Sequence, residues 1–216
     1  MNAIIMAQGQ QQRVQHLLVP PLPAFKQLLQ FFDTETIFSR TCSHLFGTGV
    51  EMVAAVVHWH SEWIRACVDN QIPFLSQDDP GGSVVGAIYH YRKLWGTSIL
   101  IVLGDVVFSS QAIRTMVTTD PSQSAFFGRH GPNPITGKSH WEVYAVRICL
   151  DGRRRFLEAM ADPTWRRNAD TKLHDLVRAL PSIPFVEISD YTDDIDTEED
   201  YVKRFPILKR AVSEDR

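Results

Sequence analysis

The chain carries a set of residues whose types and spacing suit them to phosphate and cation chemistry. A short apolar run, Ala3-Ile4-Ile5-Met6, breaks into the polar stretch Ala7-Gln8-Gly9-Gln10-Gln11-Gln12-Arg13-Val14. A strand that ends in such a loop can hold a phosphate: backbone N–H groups point at the anion, Gly9 reaches conformations closed to other residues, and Arg13 adds a fixed charge with several donors. Further on, Gln77 precedes a turn with Gly81 and Gly82. A glutamine amide offers a donor and an acceptor, and Gly82 allows a close approach of a ligand to the backbone. The apolar run Ser98–Leu103 ends in Gly104-Asp105, which places one carboxylate at the C-terminal end of a buried strand, where ligands gather in open α/β sheets. Near the other end of the chain stands Asp194-Ile195-Asp196-Thr197-Glu198-Glu199-Asp200-Tyr201. Residues two apart in an extended segment project to the same side, so Asp194 and Asp196 can face one cation.

Something must position these groups, and the hydrophobic pattern says what. Short β-branched runs alternate with longer amphipathic ones, the pattern of strands joined by helical crossovers. The spacing predicts strands at about 2–6, 51–57, 73–76, 98–104, 124–128, 141–148 and 184–188, and helices at about 35–46, 61–69, 83–94, 109–117, 152–160, 170–179 and 197–204. Ser61 and Ser109 suit N-caps, and Asp170 suits the start of the helix that carries Leu173, Leu176, Val177 and Leu180. Thr197 and Asp200 fit a helix-start capping pair. Pro20, Pro21 and Pro23 exclude regular helix over 15–23 and imply an extended arm beside the first loop. The Gly- and Pro-rich segment 129–140 reads as an irregular lid or turn.

Taken in chain order, these stretches resemble the nucleotidyltransferases that activate sugar phosphates and similar acceptors, the pyrophosphorylase type of the GT-A-like α/β fold, across residues 2–204. The first loop is similar to the family's L-A-A-G-x-G-[ST]-R-[FLM], with Gly9 and Arg13 in register and Gln11 and Gln12 in place of the second glycine and the hydroxyl residue. Lys26 in Phe25-Lys26-Gln27-Leu28-Leu29 resembles the lysine of P-x-K-x-L-L, which implies contact with phosphate. The acidic run resembles D-x-D-T-P-E-D-[LY], with Glu198 in place of the proline.

The resemblance implies a single three-layer α/β domain with a mixed, mostly parallel sheet, its nucleotide half at about 1–120 and its acceptor half at about 121–216. It implies Arg13, Lys26 and Asp105 as catalytic residues, with Ala7, Gln8, Gly9, Gln77 and Gly82 on the nucleotide. It also implies Mg²⁺, or Mn²⁺ in its place, on Asp105 with Asp194 or Asp196. Glu142 and Lys138 are expected on the acceptor, Lys138 or Arg129 meeting its phosphate. The expected reaction moves a nucleotidyl group from an NTP to a phosphorylated acceptor, such as a sugar 1-phosphate, and releases pyrophosphate. Two other readings share the layout: a GT-A-type glycosyltransferase that consumes a nucleotide sugar, and a non-catalytic nucleotide-binding regulator.

Composition narrows the partners. With 216 residues, 44% of them hydrophobic, the chain can bury the core of one α/β domain. A formal net charge of −3 supplies no general attraction to nucleic acid or an anionic membrane. Cys42, Cys67 and Cys149 lack metal or redox spacing and read as reduced core thiols, which predicts a cytoplasmic location. No apolar stretch approaches the roughly 18 residues of a membrane span. His58-Trp59-His60 reads as the decoration of a strand end rather than a metal site, and Arg153-Arg154-Arg155 as a solvated face.

Overall fold

The computed structural model describes residues 1–7, 25–32, 34–57, 59–76, 83–139, 141–168 and 171–215, leaving aside the side chains of 166 and 167. The elements follow in chain order as strand β1 (Asn2–Met6), the hairpin strands β2 (Gln30–Phe32) and β3 (Glu35–Thr36), helix α1 (Ile37–Gly47), β4 (Met52–Val57), α2 (Ser61–Asp69), β5 (Phe74–Ser76), α3 (Val84–His90), β6 (Ser98–Leu103), β7 (Val106–Val107) and α4 (Ser110–Thr118). They continue with β8 (Ala125–Arg129), β9 (Glu142–Cys149), α5 (Leu150–Met160), α6 (Pro163–Arg167), α7 (Leu173–Ala179), β10 (Phe185–Glu187), β11 (Asp193–Asp194) and α8 (Phe205–Glu214). A 3-10 turn covers Lys26–Leu28, and a π-helical turn over Asp200–Arg204 runs into α8.

Seven strands form the central sheet in the order β10-β8-β9-β6-β1-β4-β5. β1 lies parallel to β4 and β6, β4 to β5, and β10 to β8. Only β9 runs against its neighbours β6 and β8. An antiparallel strand begins where its parallel neighbours end, so Glu142, the first residue of β9, sits at the same edge as the ends of β1 and β6.

Both faces of the sheet are covered, and alternate residues of each strand feed opposite cores. Ile5, Val57, Val102 and Phe127 pack with Phe38, Trp63, Ile113 and Met116 under α1, α2 and α4. Ile4, Met6, Ile101 and Phe126 pack with Ile88, Phe156 and Leu176 under α3, α5 and α7. A third cluster, Leu29, Phe31, Ile37, Val107, Ile195, Phe205, Leu208 and Val212, fastens β2 and α8 beside the acidic segment.

The predicted strands all form, with ends moved by a residue or two. Ser109 caps α4 by accepting from Ala112 N at 2.8 Å. At α2 the cap is one residue earlier than expected: the His60 imidazole accepts from Glu62 N, and Ser61 is the first helical residue. The start of α7 is set by Lys172, while Asp170 lies outside the described residues. The expected helix over 197–204 extends through α8 to Glu214. The arm over 15–23 also lies outside the described residues. No helix among the described residues is long and apolar enough to cross a membrane.

Candidate active site

The end of β6 is pressed against the end of β1. Gly104 N donates to Met6 O at 2.9 Å, and Ala7 N donates to Val56 O at 2.9 Å, so the chain leaves β1 at a fixed height. A Cβ at Gly104 would lie 2.9 Å from the Ala7 Cα, which explains why a glycine precedes the aspartate. Asp105 then turns into β7, and β7 pairs antiparallel with β11, Val106 opposite Asp194. Ile195 N donates to Asp105 O at 3.2 Å. This short ladder lays the acidic segment alongside Asp105.

Lys26 closes the arrangement. From its 3-10 turn the ammonium reaches Asp105 Oδ2 at 2.8 Å and Asp196 Oδ1 at 2.8 Å. The lysine side chain is 5% exposed, while those of Asp105 and Asp196 are 21% and 37% exposed. Burial alone would lower the Lys26 pKa, but the two carboxylates outweigh it and hold the group above its ordinary value. Burial would likewise raise Asp196, yet the Lys26 charge and a hydrogen bond from Asp194 keep it well below the usual carboxylate range.

Asp194 belongs to a second cation. Lys138 Nζ meets Asp194 Oδ1 at 2.5 Å, Asp200 Oδ2 at 3.4 Å and Glu142 Oε1 at 3.9 Å. Burial, followed by the Asp196 and Glu142 charges, raises the Asp194 pKa well above normal against the pull of Lys138. Asp200 is the brace of this corner: it accepts from Thr197 N at 2.9 Å and Asp196 N at 3.0 Å, and it binds Arg204. Its own N–H donates to Thr197 Oγ1 at 3.1 Å, completing the capping pair read from the sequence. Burial pushes Glu142 up to about 7 against the pull of Lys138, with Asp196 and Asp193 adding to the rise.

The segment 130–139 is a strap rather than a lid. Asn133 Nδ2 donates to Thr192 O at 3.0 Å, and Thr136 Oγ1 donates to Asp193 Oδ2 at 2.5 Å. Arg129 donates to Gly131 O, Thr192 O and Asp193 Oδ1 at 3.0, 2.8 and 3.1 Å. These bonds stitch the strap to β11. Sequence reasoning missed this scaffold, although Pro132-Asn133-Pro134 carries a turn signal: Asn133 Oδ1 accepts from Ile135 N and Thr136 N at 2.8 and 2.9 Å.

Lys26, Asp105 and Asp196 therefore converge, with Ala7 fully buried at the same edge and Glu142 at the start of β9. The expected acceptor contacts of Lys138 and Arg129 meet a different geometry, because both side chains are 2% exposed and point into carboxylates and carbonyls. Gln8, Gly9, Arg13, Gln77 and Gly82 lie outside the described residues. His60 serves as the α2 cap and stacks edge-on with Phe25 at 5.0 Å, a structural role. Arg153 donates to Gly96 O and Arg155 to Ser182 Oγ, so the basic run is tied down at its ends.

Among the described residues no group of three or more His, Cys, Asp or Glu side chains is arranged to hold a metal ion. Of the two expected candidates for second ligand, Asp196 joins Asp105 on Lys26, while Asp194 pairs with Lys138. The donor set that remains, two hard and partly exposed carboxylates, fits Mg²⁺, which uses one or two protein carboxylates and takes its other ligands from water and phosphate.

No family model and no curated protein matches the chain. Solved structures do. A CTP:phosphocholine cytidylyltransferase from Streptococcus pneumoniae matches with a TM-score of 0.67 at 15% identity, over 96% of this chain and 98% of that one. An inositol-1-phosphate CTP transferase from T. maritima matches with a TM-score of 0.70 at 13% identity, over 99% and 96%. A UDP-glucose pyrophosphorylase complexed with UDP-glucose matches with a TM-score of 0.69 at 12% identity, over 100% and 99%. The chain shares its α/β fold, along nearly its whole length, with these nucleotidyltransferases.

Proposed function

We propose that this chain is a nucleotidyltransferase: it moves a nucleotidyl group from an NTP to a phosphorylated small acceptor, a sugar 1-phosphate or a similar phosphomonoester, and releases pyrophosphate. The observation that carries this reading is the meeting of Lys26, Asp105 and Asp196 at the C-terminal edge of the parallel strands, each carboxylate 2.8 Å from one ammonium. The fold it shares with transferases named for CTP, phosphocholine and inositol 1-phosphate supports a phosphorylated acceptor.

Asp105 and Asp196 would hold Mg²⁺, which when bound offsets triphosphate charge and makes the α-phosphate a better electrophile. The remaining work is positional. An acceptor phosphate is already ionised at neutral pH and needs no general base, so the task is to hold two mutually repelling anions in line. Lys26 carries its charge on a flexible stem and can follow it from the α-phosphate to the departing pyrophosphate. Arg13, with the Gln8 and Gly9 backbone, is assigned to the triphosphate, Gln77 and Gly82 to the base, and Glu142 to acceptor hydroxyls; the Ala7 N–H, expected on the nucleotide, is instead bonded to Val56 O inside the sheet. Lys138 is reassigned from acceptor contact to positioning, as the cation that gathers Asp194, Asp200 and Glu142.

The test is a matrix of four NTPs against phosphorylated acceptors with Mg²⁺ present and absent, read by pyrophosphate release. Release with one NTP and acceptor pair supports the proposal. Free nucleoside diphosphate from a nucleotide sugar, or NTP binding without turnover, overturns it. Asp105→Asn should keep the fold by circular dichroism and lower kcat by about 100-fold or more, the scale for loss of one electrostatic contact at a reacting centre.

A further inference from the structure

We propose that the Lys26 ammonium is a built-in competitor of the divalent ion: it holds Asp105 and Asp196 until a triphosphate draws it away, so that tight metal binding is conditional on nucleotide. The inference rests on Asp105 and Asp196 being the metal carboxylates, as argued under the proposed function.

The geometry is that of a cation already seated. Nζ lies 2.8 Å from an oxygen of each aspartate, within the range of charge-assisted hydrogen bonds, and these residues are separated from Lys26 by 79 and 170 positions of chain. An ion bonded at about 2.1 Å to either oxygen would sit within about 5 Å of the ammonium, and the two like charges would repel strongly in a desolvated corner. Nor can Lys26 simply retreat. Its side chain is 5% exposed, and a buried ammonium without a counter-charge is costly. Triphosphate oxygens brought to the same edge would supply a competing counter-charge. The device also protects the empty-handed protein, because without the ammonium two carboxylates would face each other unscreened.

Mn²⁺, followed by electron paramagnetic resonance, probes this without turnover. In the absence of nucleotide, Lys26→Met should bind Mn²⁺ at least tenfold more tightly than the unsubstituted chain, and adding Asp105→Asn should abolish the gain. Should Lys26→Met fold only with Mn²⁺ present, the result also supports the proposal, since the ion then replaces the ammonium. Equal or weaker Mn²⁺ binding in folded Lys26→Met overturns it. So does a gain that survives Asp105→Asn, or a failure of both Lys26→Met and Lys26→Gln to fold at any Mn²⁺ concentration. The outcomes separate the two ideas: if pyrophosphate release depends on Mg²⁺ and Asp105 while Lys26→Met shows no gain, the competition fails and the nucleotidyl-transfer reading stands. If Mn²⁺ affinity rises as expected and no NTP and acceptor pair turns over, the reverse holds.

Discussion

At the scale of single residues, Glu142 at the start of β9 is a carboxylate whose protonation is set by its surroundings. Burial pushes Glu142 up to about 7 from an ordinary 4.5, with Lys138 pulling the other way. Below about 4.5 the carboxyl is protonated in both folded and unfolded chains and has no effect on stability. Between 4.5 and 7 the unfolded chain loses its proton while the folded one keeps it, so folding is increasingly penalised, and the full penalty stands above 7. Glu142→Gln should therefore melt several degrees higher than the parent at pH 8 and at nearly the same temperature at pH 4.5, by thermal denaturation at the two pH values. Asp105, Asp194 and Asp196 were legible from the sequence because they sit at the end of an apolar run or in an acidic cluster, whereas Lys26 stood out only through the family resemblance. Their partners were not legible. Strand geometry alone puts Asp194 and Asp196 on one side, and only the placement of Lys138 by the strap decides that one carboxylate goes to each lysine.

At the scale of elements, the candidate site depends on a bulge. The ladder between β8 and β9 shifts register between Phe127 and Gly128, and a Cβ at Gly128 would lie 2.0 Å from the Glu142 O. The backbone of β9 can approach this closely only because the residue opposite has no side chain. Gly128→Ala should cost about 1–3 kcal/mol in urea unfolding, the usual range for forced overpacking, and should raise KM for the acceptor more than for the NTP, since it is Glu142 that must move. The long strands and amphipathic helices were readable because burial on both faces imposes strong patterns. The pieces that position the site were not: β7 and β11 are two residues each, too short for any period to register. The expected helix over 197–204 stops short of Pro206, which lies in the first turn of α8, where a proline is tolerated.

At the scale of the molecule, the end of α8 is tied to α1 and α4 through one carboxylate. Arg40 on α1 donates to Asp215 Oδ2 at 3.0 Å, and the same carboxylate accepts from Tyr191 Oη at 2.7 Å and from Ser110 N, in the first turn of α4, at 3.0 Å. Burial would raise the Asp215 pKa, but the Ser110 and Tyr191 hydrogen bonds and the Arg40 charge keep it below its ordinary value. A depressed carboxylate stabilises the fold above its unfolded pKa and loses that contribution as pH falls through the folded one. Asp215→Asn should thus destabilise by about 1–3 kcal/mol at pH 7, the cost of leaving a buried donor set short of its acceptor, with the difference from the parent shrinking as denaturation curves are taken toward pH 3.

The bond between Lys26 and Asp196 reaches across 170 positions. A ribosome making this protein releases the lysine, then Asp105, and must add some ninety further residues before the second aspartate exists. Contacts so distant in sequence form late. The corner that joins Lys26, Asp105 and Asp196 is accordingly among the last parts of the fold to be finished.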